Sequence, residues 1–371
     1  MADRWDLPHR LLTDGVAQGI YTAGVALVGL KGELLWQGAA GRLSQEPEAP
    51  AATLKTVFDL ASLTKPLATA LAVMLLRDRG RLGLNATLGE VLPRTWLPAD
   101  KHPLTVHSLL AHQSGLPALE PFYEEVLAAP PPQRPGLLAQ LAAAAPLQYP
   151  PGQESLYSDL GYMLLKEAVE AAAGEALDAF CRREIYLPLN LKTLGFNPRR
   201  QPGGKNLAFA ATEKGLIPGR TILGEVHDEN AWAAGGVAGN AGLFGSGREV
   251  FDLLAALYRS YQGKGVEPFS SDSVRLFLNP VAGSSRTLGF DTPSADVGQA
   301  STGRYFSPKS VGHLGFTGTS FWLDLELGQM VVLLTNRVHL GRDDKTKIST
   351  FRPRFHEAVS RALGFTEEFR K

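Results

Sequence analysis

The chain of 371 residues is long enough for two lobes, because a single apolar core stops growing at about 250–300 residues. Apolar residues make up 44% and charged residues 20%, the profile of a folded globular protein and not of a disordered one. Thirty-seven basic residues balance thirty-seven acidic ones, so no net field favours nucleic acid or an anionic membrane, and neither is expected as a partner. No apolar run reaches the length of a membrane span, and Cys181 is the only cysteine, which excludes an intramolecular disulfide or a multi-thiolate metal site.

The N-terminus, MADRWDLPHRLL, carries charges and a proline where a signal peptide would have an apolar stretch, which predicts a cytoplasmic protein. A short helix is expected over 8–19, with Pro8 in its first turn and Leu11, Leu12 and Val16 near helical spacing. Two extended apolar runs, Ala23–Leu30 and Glu33–Gly38, meet at Lys31-Gly32 and predict a hairpin. The run FDLASLTKPLATALAVMLLR, residues 58–77, predicts a helix that ends near Gly80. From about 85 to 220 short helices such as GYMLLKEAVEAAAG alternate with turns at Pro130–Pro132 and Pro150-Pro151-Gly152. Cys181 lies on one of these helices and reads as a buried structural thiol. Ser246 is the expected cap of a helix over Arg248–Tyr258. Strand signals return in TSFWLDLE and Gln329–Thr335, and a helix over Thr350–Leu363 closes the chain. This order predicts an α/β lobe from residues 1–84 and 221–371, a mostly helical lobe from 85–220, and a site in the cleft between them.

Four stretches could carry chemistry. Ser62 and Lys65 stand three apart, so on a helix the amine can reach the hydroxyl. Pro66 has no N–H for the Ser62 carbonyl, which places Ser62 at or just before the first turn, where unpaired N–H groups stabilise an oxyanion. Lysine is a base only when neutral, which calls for burial or neighbouring cations to lower its pKa; an S-x-x-K can also arise by chance in a chain of this length. In Tyr157-Ser158-Asp159, Tyr157 is either a packed aromatic, with Ser158 or Asp159 capping a helix, or a proton relay beside the lysine. Val311–Thr319, VGHLGFTGT, is either a glycine-rich turn with a satisfied histidine or an edge strand that faces a ligand, supplying an oxyanion N–H and His313 to orient a carboxylate or carbonyl, with Gly315 and Thr317 as candidate substrate contacts. His227, Asp228, Glu229 and Asn230 make a polar loop suited to reading a substrate. Consecutive residues rarely converge on one ion, so no metal or other cofactor is expected there.

Taken together, Ser62-Leu-Thr-Lys65, Tyr157-Ser-Asp159 and His313-Leu-Gly315 resemble, in order and spacing, the three motifs of the penicillin-recognising serine hydrolases. Within them they are most similar to the group of class C β-lactamases, DD-peptidases and family VIII esterases. Supporting segments are His112–Pro117, Tyr149–Gly152, Ile185–Leu189 and Asn240–Ser246, so the likeness runs from about 15 to 360. The resemblance implies an α/β fold of the β-lactamase/transpeptidase type, an antiparallel sheet flanked by helices with an inserted helical lobe. It also implies Ser62 as the acylated nucleophile, Lys65 and Tyr157 as a coupled proton-transfer pair, and the N–H groups of Ser62 and Phe316 as the oxyanion hole.

Two positions depart from that pattern. Asp159 stands where an asparagine usually contacts the substrate's acylamide, and His313-Leu314 replaces Lys-Thr; both disfavour an efficient β-lactamase. The loop Val226–Ala231 followed by Gly235–Gly239 resembles a subgroup that holds N-acetylmuramyl-L-alanine amidases and a DD-carboxypeptidase-like penicillin-binding protein. The expected substrate is therefore a small molecule, a peptidoglycan-fragment amide met during cytoplasmic recycling of wall fragments. A promiscuous carboxylesterase and a non-hydrolytic penicillin-binding sensor are the alternatives, and the sequence specifies no oligomeric state.

Overall fold

A computed structural model describes residues 4–217, 220–366 and 368. Its organising feature is a five-stranded antiparallel sheet in the order Glu33–Gly41, Ala23–Leu30, Gln329–Thr335, Ser320–Asp324, Ser310–Leu314. Three of the strands come from the last quarter of the chain, and the central pairing sets Val25 opposite Leu334 and Leu27 opposite Val332. Side chains alternate faces along a strand. Val25, Leu27, Val332 and Leu334 therefore enter the main core with Val250, Phe251 and Leu254 of the helix Gly247–Tyr261. Ala26, Val28, Val331 and Leu333 enter a second core with Leu12, Phe351 and Phe355 from the helices Asp6–Ala17 and Thr346–Ala362. Burial on both faces explains why AGVALVGL is apolar almost throughout instead of alternating.

The hairpin turn lies where it was expected, with Lys31 at φ +53° and Gly32 at φ +85°, the paired positive φ of a tight turn that matches strand twist. Its second strand continues to Gly41, beyond Gly38, because the pairing with the first strand runs on to Ala23. The closing helix starts at Thr346, one turn before the expected Thr350, ends at Ala362 and accommodates Pro353 inside it. Ser246 accepts from the Glu249 N–H and caps its helix, now bounded by Gly247 and Tyr261. Cys181 is buried, with its thiol 3.7 Å from the Ala68 carbonyl. Among the described residues no helix is long and apolar enough to cross a membrane.

A smaller sheet of Val57–Asp59, Leu243–Ser246 and Gly195–Phe196 lies beside the main one and had no sequence signal, its strands being two to four residues long. It delivers Asp59 and the following Ser62 turn to the open end of the edge strand Ser310–Leu314.

The two ends of the chain are locked together by Asn336. Its Oδ1 accepts from the N–H groups of Thr22 and Ala23 at 3.1 and 2.7 Å, and its Nδ2 donates to Thr22 Oγ1 at 2.8 Å and to the Ala211 carbonyl at 2.9 Å. Removing this buried amide strands several donors and acceptors at once. We expect Asn336→Ala to lower the unfolding free energy by about 2–4 kcal/mol in a denaturant titration, whereas a loss below about 0.5 kcal/mol would show that strand pairing and packing hold the two ends without it.

Candidate functional site

Ser62 sits on an irregular turn. Asp59 ends its strand and accepts the Ala61 N–H on Oδ1 at 2.8 Å, while Ala61 takes φ +48°, a conformation that alanine rarely adopts. Residues 61–63 form one tight turn, and Lys65–Ala70 is then wound as a π-helix before regular α-helix begins at Leu71. Pro66, which cannot donate to the Ser62 carbonyl, was expected to interrupt α hydrogen bonding there; it comes with a wider winding that places the Lys65 amine below the serine and delays the regular helix from the expected Leu67 to Leu71. Lys65 Nζ donates to Ser62 Oγ at 3.1 Å and to the Asn240 carbonyl at 3.2 Å.

The Asn240 carbonyl arrives there because the 239–243 segment packs closely on the same turn. Thr69 Oγ1 donates to the Gly239 carbonyl at 2.7 Å, and the Leu243 N–H donates to Thr64 Oγ1 at 3.0 Å. A Cβ on Gly239 would lie 1.9 Å from the Tyr162 carbonyl, so this glycine is required by close approach.

Tyr157 and Asp159 reach the site from the start of the helix Asp159–Ala173. Of the two possible caps, Ser158 is the one used, its Oγ accepting from the Gly161 N–H at 3.2 Å. Asp159 is thereby left at the first position of the helix, and its Oδ1 lies 2.6 Å from Lys65 Nζ. Lys65 is wholly buried and Asp159 is 16% exposed. The Tyr157 ring lies 4.7 Å from Lys65 Nζ and is stacked on His112 at 4.6 Å. His112 holds that geometry from φ +56°, its Nδ1 accepting the Ser158 N–H at 2.9 Å.

The electrostatics reverse one sequence-based expectation. Burial pulls the Lys65 pKa down, but the charge of Asp159, with Tyr157 beside it, outweighs burial and lifts the pKa above its ordinary value. Lys65 is therefore an ammonium in this arrangement. Burial likewise raises the Tyr157 phenol, with Lys65 opposing and Asp159 adding to the rise. His313 is held neutral, first by burial and then by the charges of Lys65 and Arg286.

Two cavities meet at Ser62, with Tyr157 and Phe316 in the wall of both. One, of about 400 Å³, is lined by Asp159 and by the loop His227, Asp228, Glu229 and Asn230. Asp228 is pushed up to about 6 by burial and by the charge of Asp159. His227 Nε2 lies 2.7 Å from Glu213 Oε2, which also pairs with Arg342 at 3.1 Å. The Asn230 amide donates to the Glu120 carbonyl at 2.8 Å. The other cavity, of about 380 Å³, is lined by His313, Gly315, Arg337, Lys345 and Arg352. Phe316, 37% exposed, stands between the cavities with Lys345 at 4.9 Å and Arg337 at 5.0 Å from its ring centre.

The structure thus brings Ser62, Lys65, Tyr157, Asp159, the 227–230 loop, His313, Gly315 and Phe316 to one cleft. Thr317 is not among them: it is buried and spends its hydroxyl on the Asp59 carbonyl at 2.8 Å. Sequence reasoning missed Asp59, whose Oδ2 accepts the His227 N–H at 2.7 Å, so one buried residue ties together the Ser62 turn, the His227 loop and the Thr317 loop. It also missed the cations Arg337, Lys345 and Arg352, which sit at no motif spacing and converge only through the fold.

The Beta-lactamase family model matches residues 9–349. The chain is 34% identical to an N-acetylmuramyl-L-alanine amidase of Bacillus subtilis over 77% of its own length and 69% of the relative's. It is 33% identical to a putative D-alanyl-D-alanine carboxypeptidase of Escherichia coli, over 80% of its length and 72% of the relative's. Among solved structures, EstCE1, a hydrolase with promiscuous acyltransferase activity, superposes with a TM-score of 0.74 at 20% identity, over 96% of this chain and 98% of that one. An octameric penicillin-binding protein homologue from Pyrococcus abyssi superposes with a TM-score of 0.72 at 19% identity, over 97% and 77%. The fold is that of the β-lactamase/transpeptidase type, and the chain belongs to the β-lactamase family of serine hydrolases.

Proposed function

We propose that this hydrolase forms an acyl-enzyme on Ser62 and cleaves an amide of a peptidoglycan fragment. The observation that carries the reading is the contact of 3.1 Å between Ser62 Oγ and the wholly buried Lys65 amine, set at the junction of two substrate-sized cavities. Ser62 Oγ attacks the carbonyl carbon. Lys65, hydrogen-bonded to it, and Tyr157, beside it in the wall of both cavities, manage its proton as one coupled unit. The backbone N–H groups of Ser62 and Phe316 take the developing oxyanion. The leaving amine departs with that proton, and water then releases the acyl group by the reverse sequence.

The charge of the cleft supports the substrate class. Arg337, Lys345 and Arg352 form no salt bridge with a carboxylate among the described residues, while Asp291 in the same wall is already paired with Arg286. A cavity with three such cations suits an anionic ligand, and the peptide portions of peptidoglycan fragments carry free carboxylates. The two curated relatives, named for a muramyl-alanine amide and a D-alanyl-D-alanine peptide, point to the same chemistry.

Incubation with N-acetylmuramyl-L-alanine peptides, D-Ala-D-Ala peptides, simple esters and cephalosporins side by side tests the reading. We expect amide cleavage of a muropeptide, and a fall in kcat of about 10³-fold or more in Ser62→Ala. Turnover of esters without any muropeptide would show a carboxylesterase instead. Asp59→Asn keeps the size but replaces one acceptor oxygen with a donor, so it cannot accept from both Ala61 and His227. We expect it to lower kcat by about tenfold or more, with loss of stability; unchanged kinetics would show that the three loops hold their places without it.

A further inference from the structure

Lys65 donates to Ser62 Oγ and the Asn240 carbonyl, and it pairs with the Asp159 carboxylate. When Ser62 loses its proton to Lys65, the ammonium must release one of its own. The Asn240 carbonyl cannot keep a proton. Tyr157 starts as a phenol, since burial raises it, and has no site for a second one. The Asp159 carboxylate at 2.6 Å can.

We propose that Asp159 is a positioning residue that holds Lys65 as an ammonium and receives, through Lys65, the proton that leaves Ser62. The inference rests on the Ser62 acyl-enzyme reading above. In the step, the Ser62 O–H bond breaks as Oγ bonds to the carbonyl carbon, and the carbonyl π pair moves onto its oxygen. A Lys65 proton goes to Asp159 Oδ1, and the lone pair so freed on Lys65 Nζ takes the serine proton. When the tetrahedral intermediate collapses, the same path runs backwards: Lys65 gives a proton to the leaving nitrogen as the C–N bond breaks, and Asp159 returns its proton to Lys65. Atoms and charge balance, and Lys65 is neutral only in passing, between the proton it gives to Asp159 and the one it takes from Ser62.

Three features of the fold fit Asp159 for this role. It occupies the first position of a fifteen-residue helix, where the helix dipole favours a negative charge. Its capping duty has passed to Ser158, leaving the carboxylate free to face the lysine. The asparagine expected here from the family pattern could accept a hydrogen bond from Lys65 but could not hold a proton. The remaining charged and titratable groups about the pair are Tyr157 and Tyr162, whose rings lie 4.7 and 5.6 Å from Lys65 Nζ, and His112, His313 and Arg286, which touch Tyr157. Across the cleft stands Asp228, itself influenced by Asp159. His313 and His112 are held neutral by burial, so the countercharge to Lys65 comes from the acidic side.

The test uses p-nitrophenyl acetate, which needs no knowledge of the natural substrate, and follows kcat/KM against pH for wild type, Asp159→Asn and Asp159→Glu. The expected result is that Asp159→Asn moves the acid limb upward by roughly one pH unit or more and lowers the rate at pH 7 by about tenfold or more, because Lys65 must then already be neutral in the free enzyme, with no carboxylate to take its proton. Asp159→Glu should bring the limb back towards wild type. An unmoved limb with a change in KM alone would overturn the proposal and make Asp159 a substrate contact. Carbon-13 NMR of the lysine Cε resonances, with Lys65 assigned by its loss in Lys65→Arg, gives a readout that needs no turnover. Wild-type Lys65 is expected to show no titration below about pH 9, and a midpoint near 7 would overturn the ion-pair assignment. Should Ser62→Ala hydrolyse the ester as fast as wild type, the parent reading and the relay would both fall, and the lysine titration would still decide the ion pair.

Discussion

A buried ammonium is the constraint on which the rest of this site depends. Lys65 has no exposure to solvent, and a charge so placed is tolerated only if it is paired and its protons are accepted. The fold meets that demand from three distant parts of the chain. Asp159 comes from the helix that follows the proline-rich turns, Asn240 offers a carbonyl from a glycine-rich segment, and Ser62 stands one turn away on the same winding. Each group that satisfies the lysine is thereby fixed relative to the others. The serine hydroxyl is oriented as a consequence, before any substrate binds.

A second buried acid, Asp59, does for the backbone what Asp159 does for the lysine. It accepts from Ala61 and His227 with its carboxylate and from Thr317 with its carbonyl. The positive φ of Ala61 is maintained by these contacts, since an alanine left to itself would relax to a right-handed conformation. Gly239 and Gly315 complete the arrangement by letting backbones approach where a methyl group could not fit: a Cβ on Gly315 would lie 2.1 Å from Thr319 Oγ1. The cleft that results is polarised, with carboxylates of Asp159, Asp228 and Glu229 along one cavity and the cations Arg337, Lys345 and Arg352 along the other.

Much of this was legible in the sequence because it rests on local rules. The hairpin showed itself through two apolar runs and a Lys31-Gly32 turn, and the Gly247–Tyr261 helix through its Ser246 cap. The three motifs named Ser62, Lys65, Tyr157 and His313, and all four line or underlie the same cleft. What escaped was long-range. Asp59 has an ordinary place in a three-residue strand, and its partners lie up to 258 residues away. The protonation state of Lys65 could not be read from S-x-x-K, because it is decided by a carboxylate 94 positions later and by the cap at Ser158 that frees it. Thr317 looked like a ligand contact because it follows the glycines, yet a neighbouring backbone carbonyl claims its hydroxyl.

On the reading proposed here, these converging constraints make Ser62 the one activated nucleophile of the cleft. A fluorophosphonate reacts with an activated serine and leaves a stable adduct that proteolysis and mass spectrometry can map. The expected result is a single adduct, on the peptide that contains Ser62, formed by the native protein and not after unfolding in denaturant. An adduct on any other residue of the native protein, with Ser62 unmodified, would contradict it.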